Sequence, residues 1–190
     1  MLRFLVRTYW KLSGWKISGT FPYDLPKMVL IVAPHTSWKD ILVGLAVRDK
    51  LKINHAKFLG KKELFEGPFG KLFRKLGGIP VDRTGQVSGK EGIVNQAVQL
   101  FNENETFLLA LAPEGTRKKV KKLRTGFYHI AKNAGVPIVP VGFDFENKQV
   151  IFGKPLYPGQ SEEEDFKKIA SFYYTIKGAN PNLGMDHFKV

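Results

Sequence analysis

Three short segments carry side chains able to do chemistry, a fourth is marked by its prolines and brings no reactive group, and each adjoins or is an apolar run. In P-H-T-S-W-K-D, directly after the strongest strand signal, His35 sits in a strand-to-helix connection and Asp40 lies five residues on. A carboxylate that holds one imidazole nitrogen leaves the other to take a proton. On one regular helix five residues would set the two about 140° apart. A helix beginning only near Ser37 lets the preceding turn fold His35 back over its first turn. Ser37 and Asp40 also fit S-x-x-D, a capping box beside which His35 is a bystander.

The second segment, G-G-I-P-V-D-R (77–83), ends a short strand on Asp82 and Arg83. A guanidinium there is a natural phosphate clamp, because its planar fork donates two parallel hydrogen bonds; the alternative is a surface pair of little consequence. The third, A-P-E-G-T-R (112–117), places Glu114, Thr116 and Arg117 at a bend made by Pro113 and Gly115. Such a bend binds an anionic oxygen or is a plain β-turn. V-P-I-V-P-V (136–141) is a strand twice interrupted by proline, which predicts an edge, a bulge or a backbone that meets a ligand. Beyond the third segment, Arg117 to Arg124 holds six cations in eight residues. That is a solvated loop, or a dock for anionic lipid or nucleic-acid phosphate.

The elements that must position these groups follow from hydrophobic spacing. Lys27 to Ala33 is a continuous, branched apolar run, as expected of a strand buried on both faces. Helical spacing covers 38–48, 66–76, 89–102 and 126–133; strand patterns cover 56–60, 106–111, 136–143 and 148–152. Residues 15–20 alternate weakly, as an edge strand would. Ser161 followed by three glutamates starts a last helix. Strand and helix signals alternate, which predicts an α/β fold with a largely parallel or mixed sheet and its site at the strands' carboxyl ends.

Composition narrows the function. The chain has 190 residues, no cysteine, and 30 Lys and Arg against 17 Asp and Glu, a formal charge of +13. This excludes a disulfide scaffold, a thiolate metal site and a cysteine nucleophile, and it predicts an anionic partner. Nothing approaches the roughly 18 apolar residues of a spanning helix, and cations interrupt the N-terminus too often for a signal peptide. In residues 1–16, Arg3, Arg7 and Lys11 form one stripe, opposite Leu2, Leu5, Val6, Tyr9 and Leu12. This is an amphipathic helix that lies in a membrane interface or packs on the domain.

In order and spacing the four segments resemble the blocks of the glycerolipid acyltransferase family, best known through the 1-acyl-glycerol-3-phosphate acyltransferases. His35 and Asp40 match its H-x-x-x-x-D, Gly77 to Arg83 its second block, Pro113 to Arg117 its P-E-G-T-R, and Val136 to Val141 its fourth. Lys61 to Leu64 (K-K-E-L) resembles a further family feature, whereas Pro34, Pro80 and Ala112 depart from residues common there. The resemblance implies one acyltransferase domain over residues 1–190, with the blocks in 28–142. It implies acyl transfer from acyl-CoA or acyl carrier protein to the hydroxyl of a lysophosphatidate-like lipid in phospholipid biosynthesis. His35 is then the general base and Asp40 its orienter. Lys61, Arg83, Glu114, Gly115, Thr116 and Arg117 are then the substrate-binding set. No metal or other cofactor is needed. The expected location is cytoplasmic and peripheral to an anionic membrane. The rivals are a non-catalytic lipid or phosphate binder on the same scaffold and, on charge alone, a nucleic-acid protein, for which no recognition motif is present.

Overall fold

The computed structural model describes residues 2–81 and 90–185. Seven strands and seven α-helices alternate along it: α1 (Leu2–Ser13), β1 (Lys16–Ser18), β2 (Lys27–Ala33), α2 (Lys39–Lys50), β3 (Lys57–Lys61), α3 (Lys62–Glu66), α4 (Gly70–Lys75), β4 (Gly78–Val81), α5 (Lys90–Glu103), β5 (Phe107–Leu111), α6 (Gly126–Ala134), β6 (Ile138–Asp144), β7 (Gln149–Phe152) and α7 (Glu162–Tyr173). A 3₁₀ turn, Pro181–Leu183, follows. The strands form one mixed sheet in the order β1-β7-β6-β2-β5-β3-β4, parallel everywhere except between β6 and β7. The fold is α/β, as the alternation of signals predicts.

β2 lies near the centre, and its alternate residues feed two cores. Val29, Ile31 and Ala33 pack with α5, α6 and α7 on one face. Met28 and Leu30 pack with α2 and Trp15 on the other. Burial on both sides explains why β2 reads as an unbroken apolar run. β2 pairs with β5 on one side and β6 on the other, so the connections leaving β2 and β5 diverge there. At such a switch point the carboxyl ends of parallel strands open a crevice.

One sequence expectation is corrected and another is decided among its alternatives. The helix expected over 66–76 narrows to α4 at Gly70–Lys75, which Gly67–Phe69 separate from the unforeseen α3 ending at Glu66. A Cβ on Gly70 would lie 2.0 Å from the Phe65 carbonyl oxygen, so only glycine permits that close a reversal. The proline-bearing strand β6 is buried along its whole length and paired on both sides, so it is not an edge. Proline is accommodated because the β7 side carries a bulge. Three steps from Ile138 to Val141 face four from Leu156 to Phe152, and Pro140 uses its carbonyl to accept from Gly153.

The helix ends obey local rules. Ser161 caps α7 by accepting from the Glu164 N–H at 3.3 Å, with four acids in the first turn. α1 packs on α2 through Val6 and an Arg7–Asp49 ion pair at 2.7 Å, while Phe4, Leu5 and Leu12 remain exposed. Among the described residues no helix is long and apolar enough to cross a membrane.

Candidate active site

The chain leaves β2 through Pro34–Trp38 before α2 begins at Lys39. That delay lets His35 turn back as the sequence requires. Its Nδ1 lies 2.9 Å from Asp40 Oδ2, while the Thr36 and Ser37 N–H groups donate to the same oxygen at 3.0 Å. Ser37 Oγ in turn accepts from the Lys39 N–H at 3.3 Å. Only the carboxylate half of the capping box forms, since the Asp40 N–H bonds the Ser37 carbonyl and the N-cap of α2 is Trp38; Asp40 holds the turn and the imidazole with the same atom. Asp40 is 3% exposed at its side chain and His35 25%, so the carboxylate is sealed and the ring is part-exposed. Nδ1 faces the carboxylate, and Nε2 is the ring nitrogen turned away from it.

The third segment follows β5, the neighbour of β2. Glu114 Oε1 accepts the backbone N–H of His35 at 2.8 Å, across 79 residues of sequence. The side chain is buried, and through this bond it ties the third segment to the histidine loop. Burial raises its pKa to about 7, partly opposed by the His35 hydrogen bond. Its other oxygen has no hydrogen-bond partner among the described residues. The sign of the linkage follows. The folded state binds this proton more tightly than the unfolded chain, so its contribution to stability falls as pH climbs from about 4.5 to about 7. Glu114→Gln keeps the acceptor and removes the titration. Relative to wild type it is expected to gain on the order of 2–3 kcal/mol between pH 5 and pH 8, read by urea unfolding at both.

Gly115 has φ +65°, which glycine adopts without strain, and its N–H bonds the Ala112 carbonyl at 3.0 Å. Thr116 Oγ1 accepts from the Lys118 N–H at 3.2 Å, and Arg117 is exposed. The cationic stretch that follows is pinned by buried Leu123 and by an Arg124 N–H bond to the Pro113 carbonyl at 2.8 Å. Lys61 is exposed at the carboxyl end of β3, beside that of β5. Arg83 lies outside the described residues. The structure thus unites His35, Asp40 and Glu114 in one network and arranges Lys61 and the 115–117 bend along the same sheet edge.

This arrangement can be set against known proteins. A model of the family described as Acyltransferase matches residues 19–144, two thirds of the chain, and includes every residue of that network. The chain belongs to the acyltransferase family. It is 36% identical over 136 residues to the 1-acyl-sn-glycerol-3-phosphate acyltransferase of Escherichia coli, covering 68% of this chain and 53% of that one. Against the enzyme of that name from Haemophilus influenzae it is 37% identical over 137 residues, covering 68% and 54%. This acyltransferase chain therefore spans about half the length of those two relatives. A probable 1-acyl-sn-glycerol-3-phosphate acyltransferase from Mycoplasma pneumoniae is 26% identical over 193 residues, covering 88% and 71%. The fold is shared with the 1-acyl-sn-glycerophosphate (LPA) acyltransferase PlsC of Thermotoga maritima at TM-score 0.55 and 21% identity, covering 90% of this chain and 76% of that one.

The acyltransferase family match stops at residue 144, yet the His35 loop is also held from beyond it. Buried Thr36 accepts the Asn180 N–H on Oγ1 at 3.0 Å, and the Lys177 carbonyl accepts the Phe145 N–H at 2.8 Å. Tyr173 of α7 inserts its hydroxyl into the sheet, donating to the Ile31 carbonyl and accepting from the Val141 N–H. Sequence reasoning missed Thr36, Tyr173, Gly178 and Asn180, for no local pattern pairs residue 36 with residue 180. A Cβ on Gly178 would lie 2.7 Å from Thr36 Oγ1 and 3.2 Å from Pro34 Cβ, both in the loop that carries His35. Gly178→Ala is therefore expected to lower kcat by about tenfold with little change in KM, at about 1–3 kcal/mol of stability. Steady-state kinetics beside thermal unfolding check it.

Proposed function

We propose that this chain transfers a fatty acyl group from a thioester donor, acyl-CoA or acyl carrier protein, to the hydroxyl of a lysophosphatidate-like acceptor. What carries the reading is the buried Asp40 carboxylate 2.9 Å from His35 Nδ1, which leaves Nε2 to act as general base on a part-exposed ring. His35 takes the acceptor's hydroxyl proton as its oxygen attacks the thioester carbon. Collapse of the tetrahedral intermediate breaks the carbon–sulfur bond, and the departing thiolate recovers the proton. The alcohol is the nucleophile, so no acyl-enzyme is needed and Ser37 need not react.

Lys61, Arg83 and Arg117 hold the acceptor's phosphate in this reading; Gly115 and Thr116 shape the bend beside it, and Glu114 steadies the base. No metal or redox cofactor is required. The +13 charge suits phosphate-bearing donors and an anionic membrane. The exposed Phe4, Leu5 and Leu12 of α1 suit peripheral attachment to that membrane from the cytoplasmic side. The names of the bacterial relatives lend the reading support. Pure protein incubated with both donors and a panel of lyso-lipids, read by mass spectrometry, tests it. Acylated product with at least one phosphorylated acceptor is expected. Binding of vesicles without product under any pairing would make this a non-catalytic lipid binder.

A further inference from the structure

The two faces of the sheet differ in what they show to solvent. Among the described residues, every strongly exposed Phe, Leu, Ile and Trp belongs to the α1–α4 layer: Phe4, Leu5, Leu12, Trp38, Ile41, Leu64, Phe69 and Leu72. The other exposed large hydrophobic side chains are tyrosines, which carry a hydroxyl. α3 and α4 lie on the same face as α2. The Phe65 ring covers Gly60 and Gly78, while the alternate residues Leu59 and Ile79 pack against the opposite core. Arg48 of α2 donates to the Ala56 and Leu76 carbonyls and ties the two parts together.

Within that layer the α3–α4 hairpin is lightly anchored and heavily exposed. Between Lys61 and Lys75 only Phe65 and Gly70 are buried, with Phe73 half-buried. Arg74 stacks over Phe65 at 5.4 Å from its centroid. Phe69 (64% exposed), the N-cap of α4, and Leu72 (43%) in its first turn are three residues apart. Five cations, Lys61, Lys62, Lys71, Arg74 and Lys75, stand among them against two acids, Glu63 and Glu66. Exposed apolar side chains interleaved with excess cations match an anionic bilayer, whose headgroups attract the charges while its acyl boundary takes the rings and aliphatic groups.

We infer that the α3–α4 hairpin is a bilayer contact in its own right, additional to α1, with Phe69 and Leu72 entering an anionic lipid surface. The inference deepens the proposed function, on whose lipid acceptor it rests. α3 begins at the carboxyl end of β3, on the sheet edge that carries His35. The hairpin would thus hold that edge against the surface from which a lyso-lipid arrives.

The test is flotation of full-length protein with vesicles of mixed phosphatidylglycerol and phosphatidylcholine, and with phosphatidylcholine alone. Wild type is compared with Phe69→Ser plus Leu72→Ser. Both sites are solvent-exposed, so the fold should survive, and an unchanged thermal midpoint confirms it. The double variant is expected to bind mixed vesicles at least about tenfold more weakly. It should lose transfer to vesicle-embedded acceptor in proportion, and keep transfer to a short-chain, water-soluble acceptor. Unchanged binding to mixed vesicles overturns the inference, as does equal wild-type binding to both vesicle types. A wild-type dimer that the double variant dissolves, seen by analytical ultracentrifugation with unaltered vesicle binding, also overturns it and assigns the face to self-association. Weakened vesicle binding without transfer by wild type to any acceptor upholds the contact and refutes the catalytic reading alone.

Discussion

His35→Ala is expected to reduce the proposed acyl transfer by about 10²–10⁴-fold at every substrate concentration. The magnitude is that of losing a positioned base, and the geometry says why no neighbour replaces it. Asp40 is buried and faces Nδ1, and Glu114 is buried against the loop's backbone. Neither carboxylate reaches solvent to receive a hydroxyl proton. The deletion leaves the Thr36 and Ser37 bonds to Asp40 in place, so the loop keeps its fold. Saturation kinetics beside a thermal melt check this. A variant that kept more than a tenth of wild-type kcat, with unchanged melting, would remove His35 from the mechanism.

Asp40→Asn should cost on the order of 10²–10³-fold in kcat, with KM nearly constant. An asparagine carbonyl can still accept from Thr36 and Ser37, so the turn persists. The same carbonyl oxygen then stands where Oδ2 holds Nδ1–H, so the tautomer persists as well. What is lost is the negative charge that stabilises the imidazolium as the proton arrives. Asp40→Ala, in contrast, strips both backbone donors of their acceptor and should lose about 1–3 kcal/mol of stability as well. Comparing the two variants separates the charge beside the ring from the shape of the loop. Equal kcat for Asp40→Asn and wild type would make Asp40 a cap and nothing more.

Much of the fold is legible because its signals are local. Lys27 to Ala33 is apolar at every position that two cores cover, and Ser161 with its acids marks a helix start by capping alone. The pairing of His35 with Asp40 is half legible. The residues alone allow a capping box or a base–orienter pair, and only the turn before Lys39 shows that one oxygen holds both the turn and the imidazole. Glu114 is visible as part of a motif. Its bond to the His35 N–H depends on β5 lying beside β2, which no spacing encodes. The interruption at Gly67–Phe69 hides in an otherwise helical pattern, since the close approach of Gly70 to Phe65 is a tertiary fact. Pro140 is ambiguous for a similar reason: proline allows an edge or a bulge, and only the pairing with the partner segment decides for a bulge inside the sheet.

The Thr36–Asn180 bond spans 144 residues, and it closes on the loop that carries His35. A chain cut after residue 170 would keep His35, Asp40 and Glu114 but lack this brace. The histidine loop and the segment around Asn180 therefore open as one cooperative unit, and local fraying of either is felt by the other.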